Sequence, residues 1–288
     1  MYGRSAFRKV ASHVGCRCSL ATESGKIGER MRNVVNRSSM IVLATDFGLH
    51  GPYTGQMRAA IMAQAPDVRV IDLFADLPAG NSRAAAYLLA AYTSHLPTAC
   101  VLICVVDPGV GSARRALVLQ LEGRWYVGPD NGLFEMVIRR GQASAEVHEI
   151  TWRPAYLSES FHGRDIFAPV AARIALGENP KDNPDFRQVD LESIQRADWP
   201  DDLQEIVYLD HYGNAITGLR ANCLPRDAEL QIDSCRAPRA MTFSSVSPGE
   251  VFCYENSNGL MEIAINQGNA GAKLGIRVGD TVTPVLKG

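Results

Sequence analysis

Three short apolar runs, each followed by a polar turn, constrain the fold of this chain more than any other feature. They are MIVLAT from residue 40, VRVIDLF from residue 68 and CVLICVV from residue 100. The first is continuously apolar, which is typical of a strand buried on both faces of a parallel sheet. Helical patterns at 53–65 and 82–94 separate the runs. The alternation predicts an α/β domain with a mainly parallel sheet built from right-handed βαβ units.

The later part of the chain has a different pattern. ALVLQL and RWYVGP, joined by Glu-Gly, predict a hairpin, and a polar, acidic segment follows at 177–202. Short runs separated by Gly, Asn and Pro then indicate antiparallel strands: EIVYLD, AELQI, EVFCYE and LMEIAI. We therefore expect four parts: a basic, disordered leader at 1–39, an α/β domain at 40–185, a linker at 186–202 and a smaller antiparallel β-barrel-like domain at 203–288.

The formal net charge of −2 is unevenly distributed. Residues 1–40 carry eight Lys or Arg and two Glu, which leaves 21 basic and 29 acidic residues, a net charge of −8, for the remainder. The main body has no basic excess for nucleic acid. An Arg- and Ser-rich leader is typical of a mitochondrial transit peptide, but it is equally consistent with translated sequence ahead of a true start at Met40.

Cysteine content and apolar run length indicate the compartment. The seven cysteines are odd in number and contain no CxxC pair, which predicts buried free thiols rather than a disulfide framework. No apolar run approaches the roughly 20 residues that cross a bilayer. We expect a protein that has no membrane partner and resides in the cytoplasm.

Three loops place charged groups among glycines and prolines: TDFG at 45–48, DPGVGSARR at 107–115 and FHGRDIFAP at 161–169. Glycine lets the backbone approach a ligand closely, so such loops are candidates for a binding floor. Asp46 and Asp107 follow predicted strands directly. Ligands of open α/β sheets bind beyond the carboxyl ends of the strands, which predicts a site there.

The chain from Met40 onward resembles the S-adenosylmethionine hydrolases of the SAM hydroxide adenosyltransferase family, which are related to the fluorinating and chlorinating enzymes. The resemblance rests on six motifs in order: TDFGLHGPYTGQM, VVDPGVGSARRALV, PDNGL, SFHGRDIFAPVAA, DHYGNAIT and NSNGLMEIAINQG. It implies hydrolysis of S-adenosyl-L-methionine to adenosine and L-methionine, with no metal or other cofactor. It also implies a homotrimer whose sites lie at subunit interfaces.

The resemblance assigns a water-holding triad to Asp107, Arg114 and His162. The water would attack the ribose 5′ carbon, where the sulfonium is already a good leaving group. Arg114 is always protonated, so its charge would stabilise developing hydroxide, and Asp107 and His162 could orient the water and accept its proton. The substrate-binding residues it implies are Asp46 for the ribose hydroxyls, Asp210 and Ser257 for the methionine amino and carboxylate ends, Tyr212 and Asn214 for the pocket wall, and Asn266 for adenine.

Two positions depart from relatives. Gly163 occupies the place where the halogenating enzymes have a halide-holding serine, which favours water over halide as nucleophile. Ala75 replaces a histidine that many members carry after the second strand, so no role is expected at that position.

The sequence is also compatible with two other functions. A metal-dependent phosphoesterase would use carboxylates and histidine as ligands, namely Asp46, Asp107, Asp130, His162 and Asp165. A non-catalytic module would bind an adenosyl compound through Asp46, Asp210 and Ser257 without needing the triad. Taken alone, Arg115 is interpreted as a solvated flanking residue, and Arg164 with Asp165 as a structural pair.

Overall fold

The computed structural model describes residues 40–286, and a seven-stranded mixed sheet forms its larger part. The strands are β1 Met40–Thr45, β2 Arg69–Phe74, β3 Val101–Val105, β4 Ala116–Leu121, β5 Arg124–Pro129, β6 Glu146–Ile150 and β7 Phe186–Gln188. Their order across the sheet is β2-β1-β3-β5-β4-β6-β7. The first four in that order pair in parallel, and the remaining pairs are antiparallel. The predicted hairpin forms β4 and β5.

Helices cover both faces of this sheet: α1 Tyr53–Gln64, α2 Ser82–Tyr92, α3 Glu135–Arg140 and α4 Ala168–Ala175. Successive side chains of β1 point to opposite faces. Ile41 and Leu43 pack into a core with α1 and α4. Val42 and Ala44 pack into the opposite core with α2 and α3. This layered arrangement confirms the α/β prediction and explains why β1 contains no polar position before its end.

Local sequence signals fix the helix ends. The Asn81 side chain accepts a hydrogen bond from the backbone N–H of Ala84 at 3.0 Å and caps the start of α2. Pro66 follows α1, which ends at Gln64. α1 ends one residue, and α2 two residues, before the predicted ends, because the last predicted turn of each is already irregular.

Two antiparallel sheets follow residue 202. Their strands are β8 Leu203–Leu209, β9 Ala215–Arg220, β10 Glu229–Ile232, β11 Cys235–Ala237, β12 Val251–Glu255, β13 Leu260–Ile265 and β14 Thr283–Val285, with a short helix α5 at Ala270–Leu274. A four-stranded sheet in the order β12-β13-β9-β8 and a three-stranded sheet in the order β11-β10-β14 share one apolar core. The antiparallel prediction for this region is confirmed.

The segment predicted as a linker, 186–202, begins with β7, which pairs with β6. Its remainder lies against α3. Arg139 donates to the carbonyl of Trp199 at 2.7 Å, and the Glu135 carboxylate accepts from the backbone N–H of Arg196 at 2.8 Å. The proposed division of the chain at this segment stays a prediction.

The leader predictions concern residues 1–39, which lie outside the described residues. Among the helices at 40–286, none has the length and apolar composition that a membrane span requires.

Candidate active site

The two aspartates that follow strands come together at the edge of the large sheet. β1 and β3 are parallel neighbours, with Thr45 opposite Val105, and the backbone N–H of Asp46 donates to the carbonyl of Val105 at 3.2 Å. In the sheet, β2 lies on one side of β1 and β3 lies on the other, so the direction in which the chain adds strands reverses between β1 and β3. Asp46 and Asp107 therefore lie at a topological switch point, where open α/β sheets bind their ligands.

A pocket of about 130 Å³ lies at this switch point. Its wall combines acidic and imidazole groups with aromatic rings, including Asp46, Asp107, His162, Phe47 and Phe161. Phe47, Phe161 and Tyr53 contact each other with ring centroids 5.5–5.8 Å apart. The polar groups of the pocket thus have an apolar flank, which strengthens their electrostatic interactions.

Asp107 and Arg114 form a buried ion pair across the pocket loop. The side chains are 3% and 9% exposed. Arg114 Nε donates to Asp107 Oδ1 at 2.9 Å, and Nη2 donates to Oδ2. The guanidinium centre lies 5.4 Å from the ring centroid of Phe167. Such two-point pairing fixes both groups in orientation as well as in position.

His162 extends this pair into a hydrogen-bonded triad. Its Nδ1 lies 3.0 Å from Arg114 Nη2. A guanidinium only donates, so Nδ1 is the acceptor and the neutral ring carries its proton on Nε2. Nε2 is buried and has no hydrogen-bond partner within residues 40–286. Burial, and next the charge of Arg114, lower the pKa of His162, so the ring is neutral at neutral pH and presents an N–H donor.

Two local features bring the triad loops into contact. Gly111 has φ +80°, and a Cβ there would lie 2.7 Å from the carbonyl oxygen of Glu159, so the loop after β3 packs closely on the loop that leads to His162. His162 immediately precedes a π-helical turn, Gly163–Phe167, that leads into α4. Turns of this kind occur frequently at functional sites.

Asp46 lines the same pocket with one oxygen already engaged. Its Oδ2 accepts from the backbone N–H of Gly80 at 2.9 Å. Burial is the main cause that raises its pKa, and the nearby Asp107 charge raises it further. A carboxylate in this setting gains from donors, such as vicinal hydroxyls, that satisfy its remaining lone pairs.

The predicted substrate residues of the second half of the chain lie elsewhere. Asp210, Tyr212 and Asn214 line a separate pocket of about 660 Å³. Asp210 accepts from the backbone N–H of Asn214 at 2.8 Å and from its Nδ2 at 3.0 Å. Gly213 between them has φ +83°, and a Cβ there would clash with the side chain of Asn269. The DHYGN turn therefore requires glycine to hold Asp210 and Asn214 together.

Ser257 and Asn266 do not line either of these pockets. Ser257 lies in a third pocket, with Arg226 and Arg239. Asn266 Nδ2 donates to the carbonyl of Val246 at 2.7 Å, and it is the next residue, Gln267, that lines the Asp210 pocket. Within one chain the structure thus brings Asp46, Asp107, Arg114 and His162 together and places the other predicted residues apart from them.

Sequence reasoning missed other polar and aromatic groups near these pockets. Phe47 and Phe161 adjoin Asp46 and His162 in the chain, and that adjacency was an available signal. Glu262 lies in the quoted NSNGLMEIAINQG motif, where it interrupts an apolar strand. Its single charge among buried positions was the signal for a functional network.

The arrangement of the carboxylates bears on the metal-site alternative. Asp130 is paired with Arg115 at 2.6 Å, so Arg115 is a partner in an ion pair rather than the solvated residue expected. Asp165 is paired with Arg164 at 2.6 Å, as expected. In the part of the chain that the structure describes, no three His, Cys, Asp or Glu side chains are placed to hold a metal ion.

Comparison with known proteins identifies close relatives along nearly all of the described chain. Residues 41–183 match the model of the SAM hydroxide adenosyltransferase N-terminal domain, and residues 204–283 match that of the C-terminal domain. A Thermus thermophilus protein named (R)-S-adenosyl-L-methionine hydrolase is 37% identical over 253 residues, which is 83% of this chain and 96% of the relative. A Salinispora tropica protein with the same name is 37% identical over 251 residues, 83% of this chain and 95% of the relative.

Solved structures show the same fold. A crystal structure of an uncharacterized conserved protein from Thermotoga maritima has a TM-score of 0.72 and 29% identity, and the match covers 86% of this chain and 100% of that one. A conserved hypothetical protein from Thermus thermophilus has a TM-score of 0.68 and 36% identity, with 85% and 99% of the two chains covered.

Proposed function

The chain belongs to the SAM hydroxide adenosyltransferase family, and from that premise we propose that Asp107, Arg114 and His162 hold the water with which it hydrolyses S-adenosyl-L-methionine to adenosine and L-methionine. The enzyme is a hydrolase of this sulfonium compound. Its curated relatives are named for the (R) form, and we propose the same preference here.

One observation carries the proposed water site: the hydrogen-bonded triad ends in a buried Nε2–H with no partner among residues 40–286. A water that accepts from this donor satisfies the otherwise costly buried N–H. The Asp107 carboxylate accepts a hydrogen bond from the same water, and the Arg114 charge stabilises negative charge as it develops on oxygen.

The chemistry asked of the protein is mainly alignment. A lone pair of the water oxygen forms the new bond to C5′ while the C5′–S bond breaks, and its electron pair remains on sulfur as the thioether of methionine. The proton lost from oxygen passes to the Asp107 carboxylate and then to solvent. His162 donates to the water and does not take its proton, because Nε2 is already protonated. Near-attack alignment can supply about 7–11 kcal/mol of the barrier.

We place the complete site between subunits of a homotrimer. The pocket at Asp107 is about 130 Å³ within one chain, whereas small-molecule pockets usually have about 300–1,000 Å³. The pocket with Asp210, Tyr212 and Asn214 is separate from it. Leu49 and Tyr156, in the loops that carry Asp46 and His162, are 73% and 80% exposed, so these loops offer apolar side chains that a neighbouring subunit could cover.

In that arrangement Asp46 binds the ribose hydroxyls, and the Asp210 pocket of a neighbouring subunit receives the methionine moiety. Mixing of His162→Asn subunits with Asp210→Ala subunits tests it. Co-refolded mixtures should have activity well above that of either variant alone. A mixture that assembles normally but shows no more activity than its separate variants would contradict shared sites.

We propose that no cofactor takes part. We also propose that the enzyme works in the cytoplasm, where thiols stay reduced, and the free state of all five cysteines within 40–286 accords with that compartment. We also propose that residues 40–185 and 203–288 act as two domains joined by 186–202, with the 1–39 leader outside both.

Incubation in ¹⁸O-labelled water tests the function. Each sulfonium epimer is supplied separately, with and without excess chelator, and adenosine is analysed by mass. We expect heavy oxygen at the 5′ hydroxyl, chelator-independent turnover and preference for the (R) form. Binding without adenosine would instead indicate the non-catalytic module, and loss of turnover with chelator would indicate a metal enzyme.

A further inference from the structure

Glu262 is a buried carboxyl in the middle of an otherwise apolar strand. All six residues of β13, LMEIAI, are buried, and Glu262 is 4% exposed. Burial of a charge is costly unless hydrogen bonds compensate for lost water. Leucine or isoleucine would suit this strand position without that cost. A glutamate here therefore indicates a role beyond packing.

Three side chains compensate Glu262. Tyr254 Oη donates to Oε1, and Asn256 Nδ2 donates to Oε2 at 3.1 Å. The side chain of Asn214 lies close enough to this carboxylate to lower its pKa. Burial is the main cause that raises the pKa of Glu262, and the nearby charge of Asp210 raises it further, whereas these hydrogen bonds lower it.

Asn214 connects Glu262 to the Asp210 pocket. Its Nδ2 donates to Asp210 at 3.0 Å, and its side chain also lies near Glu262, which Tyr254 of the same pocket wall hydrogen-bonds. Asn214, Asp210 and Tyr254 line the pocket, whereas Glu262 lies behind its wall. The Asn214 amide therefore lies between two carboxylates, and one of them, Asp210, faces the pocket.

The network has no positive charge of its own. Neither Asp210 nor Glu262 takes part in any ion pair within residues 40–286. Two carboxylates without a cationic partner, one lining the pocket and one behind its wall, produce a negative potential that favours a cation. An ammonium group supplies both that charge and donors for the free lone pairs of Asp210.

We propose that Glu262 is a positioning residue for the α-ammonium group of the substrate, acting through Asn214 and Tyr254 on the pocket that contains Asp210. This inference rests on the proposed function. Glu262 fixes the Asn214 amide so that Asp210 keeps one geometry, and its charge adds to the attraction for the ammonium. It does not touch the reacting atoms, so its effect falls on substrate binding rather than on the chemical step.

Glu262→Gln tests the proposal because it removes the charge with little change in volume. The readout is KM and kcat for S-adenosyl-L-methionine and for the analogue in which hydrogen replaces the α-ammonium group. We expect KM for the natural substrate to rise by about tenfold, because the hydrogen bond between Asp210 and the ammonium group weakens when Asp210 is no longer held in one geometry. KM for the analogue and kcat for both compounds should stay close to their wild-type values.

Glu205→Gln is the matched control, because it makes the same exchange on β8 of the same sheet. The Glu205 carboxylate lies 3.5 Å from Arg83 Nη1 in a partly exposed ion pair. Tyr254→Phe is the second variant if Glu262→Gln does not fold, because it removes one donor to Glu262 and keeps the ring. It should raise KM for the natural substrate alone.

Equal losses with both compounds, or a fall in kcat with KM unchanged, would overturn the positioning role while leaving hydrolysis intact. If the wild-type protein forms no adenosine, the proposed function itself fails. Calorimetric comparison of the two compounds, with wild type and Glu262→Gln, then still tests the ammonium pocket.

Discussion

Exchange of His162 for glutamine and for asparagine separates the two roles that an imidazole could have in this site. Asparagine can keep an acceptor near the position of Nδ1, which preserves the bond from Arg114, but it has no donor at the position of Nε2. Glutamine can place an N–H near Nε2 and loses the acceptor for Arg114. The structure assigns Nδ1 as acceptor and Nε2 as donor, so the two variants should differ.

The size of the difference follows from the hydrogen bonds involved. If His162 only orients the water, His162→Asn loses one donor to an oxygen that gains negative charge, which is worth about 1.5–3 kcal/mol or roughly 10- to 150-fold in kcat. His162→Gln retains that donor and should keep kcat within about tenfold of wild type, because Asp107 still holds Arg114. If His162 were the general base, both variants would lose about 10²- to 10⁴-fold.

The assay is adenosine formation at saturating substrate, measured from pH 5 to 9, with thermal unfolding to confirm folding. His95→Gln is the control, because His95 is exposed. Glutamine should also flatten the acid side of the profile, since no imidazole remains to titrate. Equal, large losses in both folded variants would refute the donor role and return the proton-accepting role to His162.

Four further outcomes are expected. Asp107→Asn leaves the buried Arg114 charge unpaired, so the free energy of unfolding should fall by about 3–5 kcal/mol in chemical denaturation, with turnover nearly lost. The pKa of His162 is lowered from 6.5 by burial first, so the unfolded chain binds a proton more readily than the native state. Stability should therefore hold above pH 6.5 and fall as the pH decreases below it, whereas turnover should fall only at lower pH, where the native ring becomes protonated; pH-dependent melting and kinetics check both. Gly163→Ser places a Cβ 3.2–3.4 Å from neighbouring side-chain atoms and should cost about 1–3 kcal/mol in unfolding experiments, without chloride-dependent products. Asp46→Ala should raise KM more than it lowers kcat, and the reverse split would contradict a ribose-binding role.

Much of the fold could be predicted because its signals are local. The apolar run of β1, the Glu-Gly turn between β4 and β5, and the Asn81 cap each depend on a few adjacent residues. The positions of Asp46 and Asp107 beyond strand ends followed from the same patterns. The triad residues came from resemblance to a family, because no local rule connects residues 107, 114 and 162.

Other features depend on contacts between distant segments. The order of β3, β5 and β4 in the sheet, the pairing of Arg115 with Asp130, and the network around Glu262 require strands and loops to meet in space. The tautomer of His162 depends on a donor 48 residues away.

The sequence by itself thus determined the α/β and antiparallel halves, the loop positions of the acidic groups and the family, since periodicity and motif spacing are written in neighbouring residues. Only the tertiary structure decided which nitrogen of His162 is free, which carboxylates are paired and which pocket each predicted residue joins. The physical reason is that hydrogen-bond partners and burial are properties of converging side chains, and convergence is set by long-range packing.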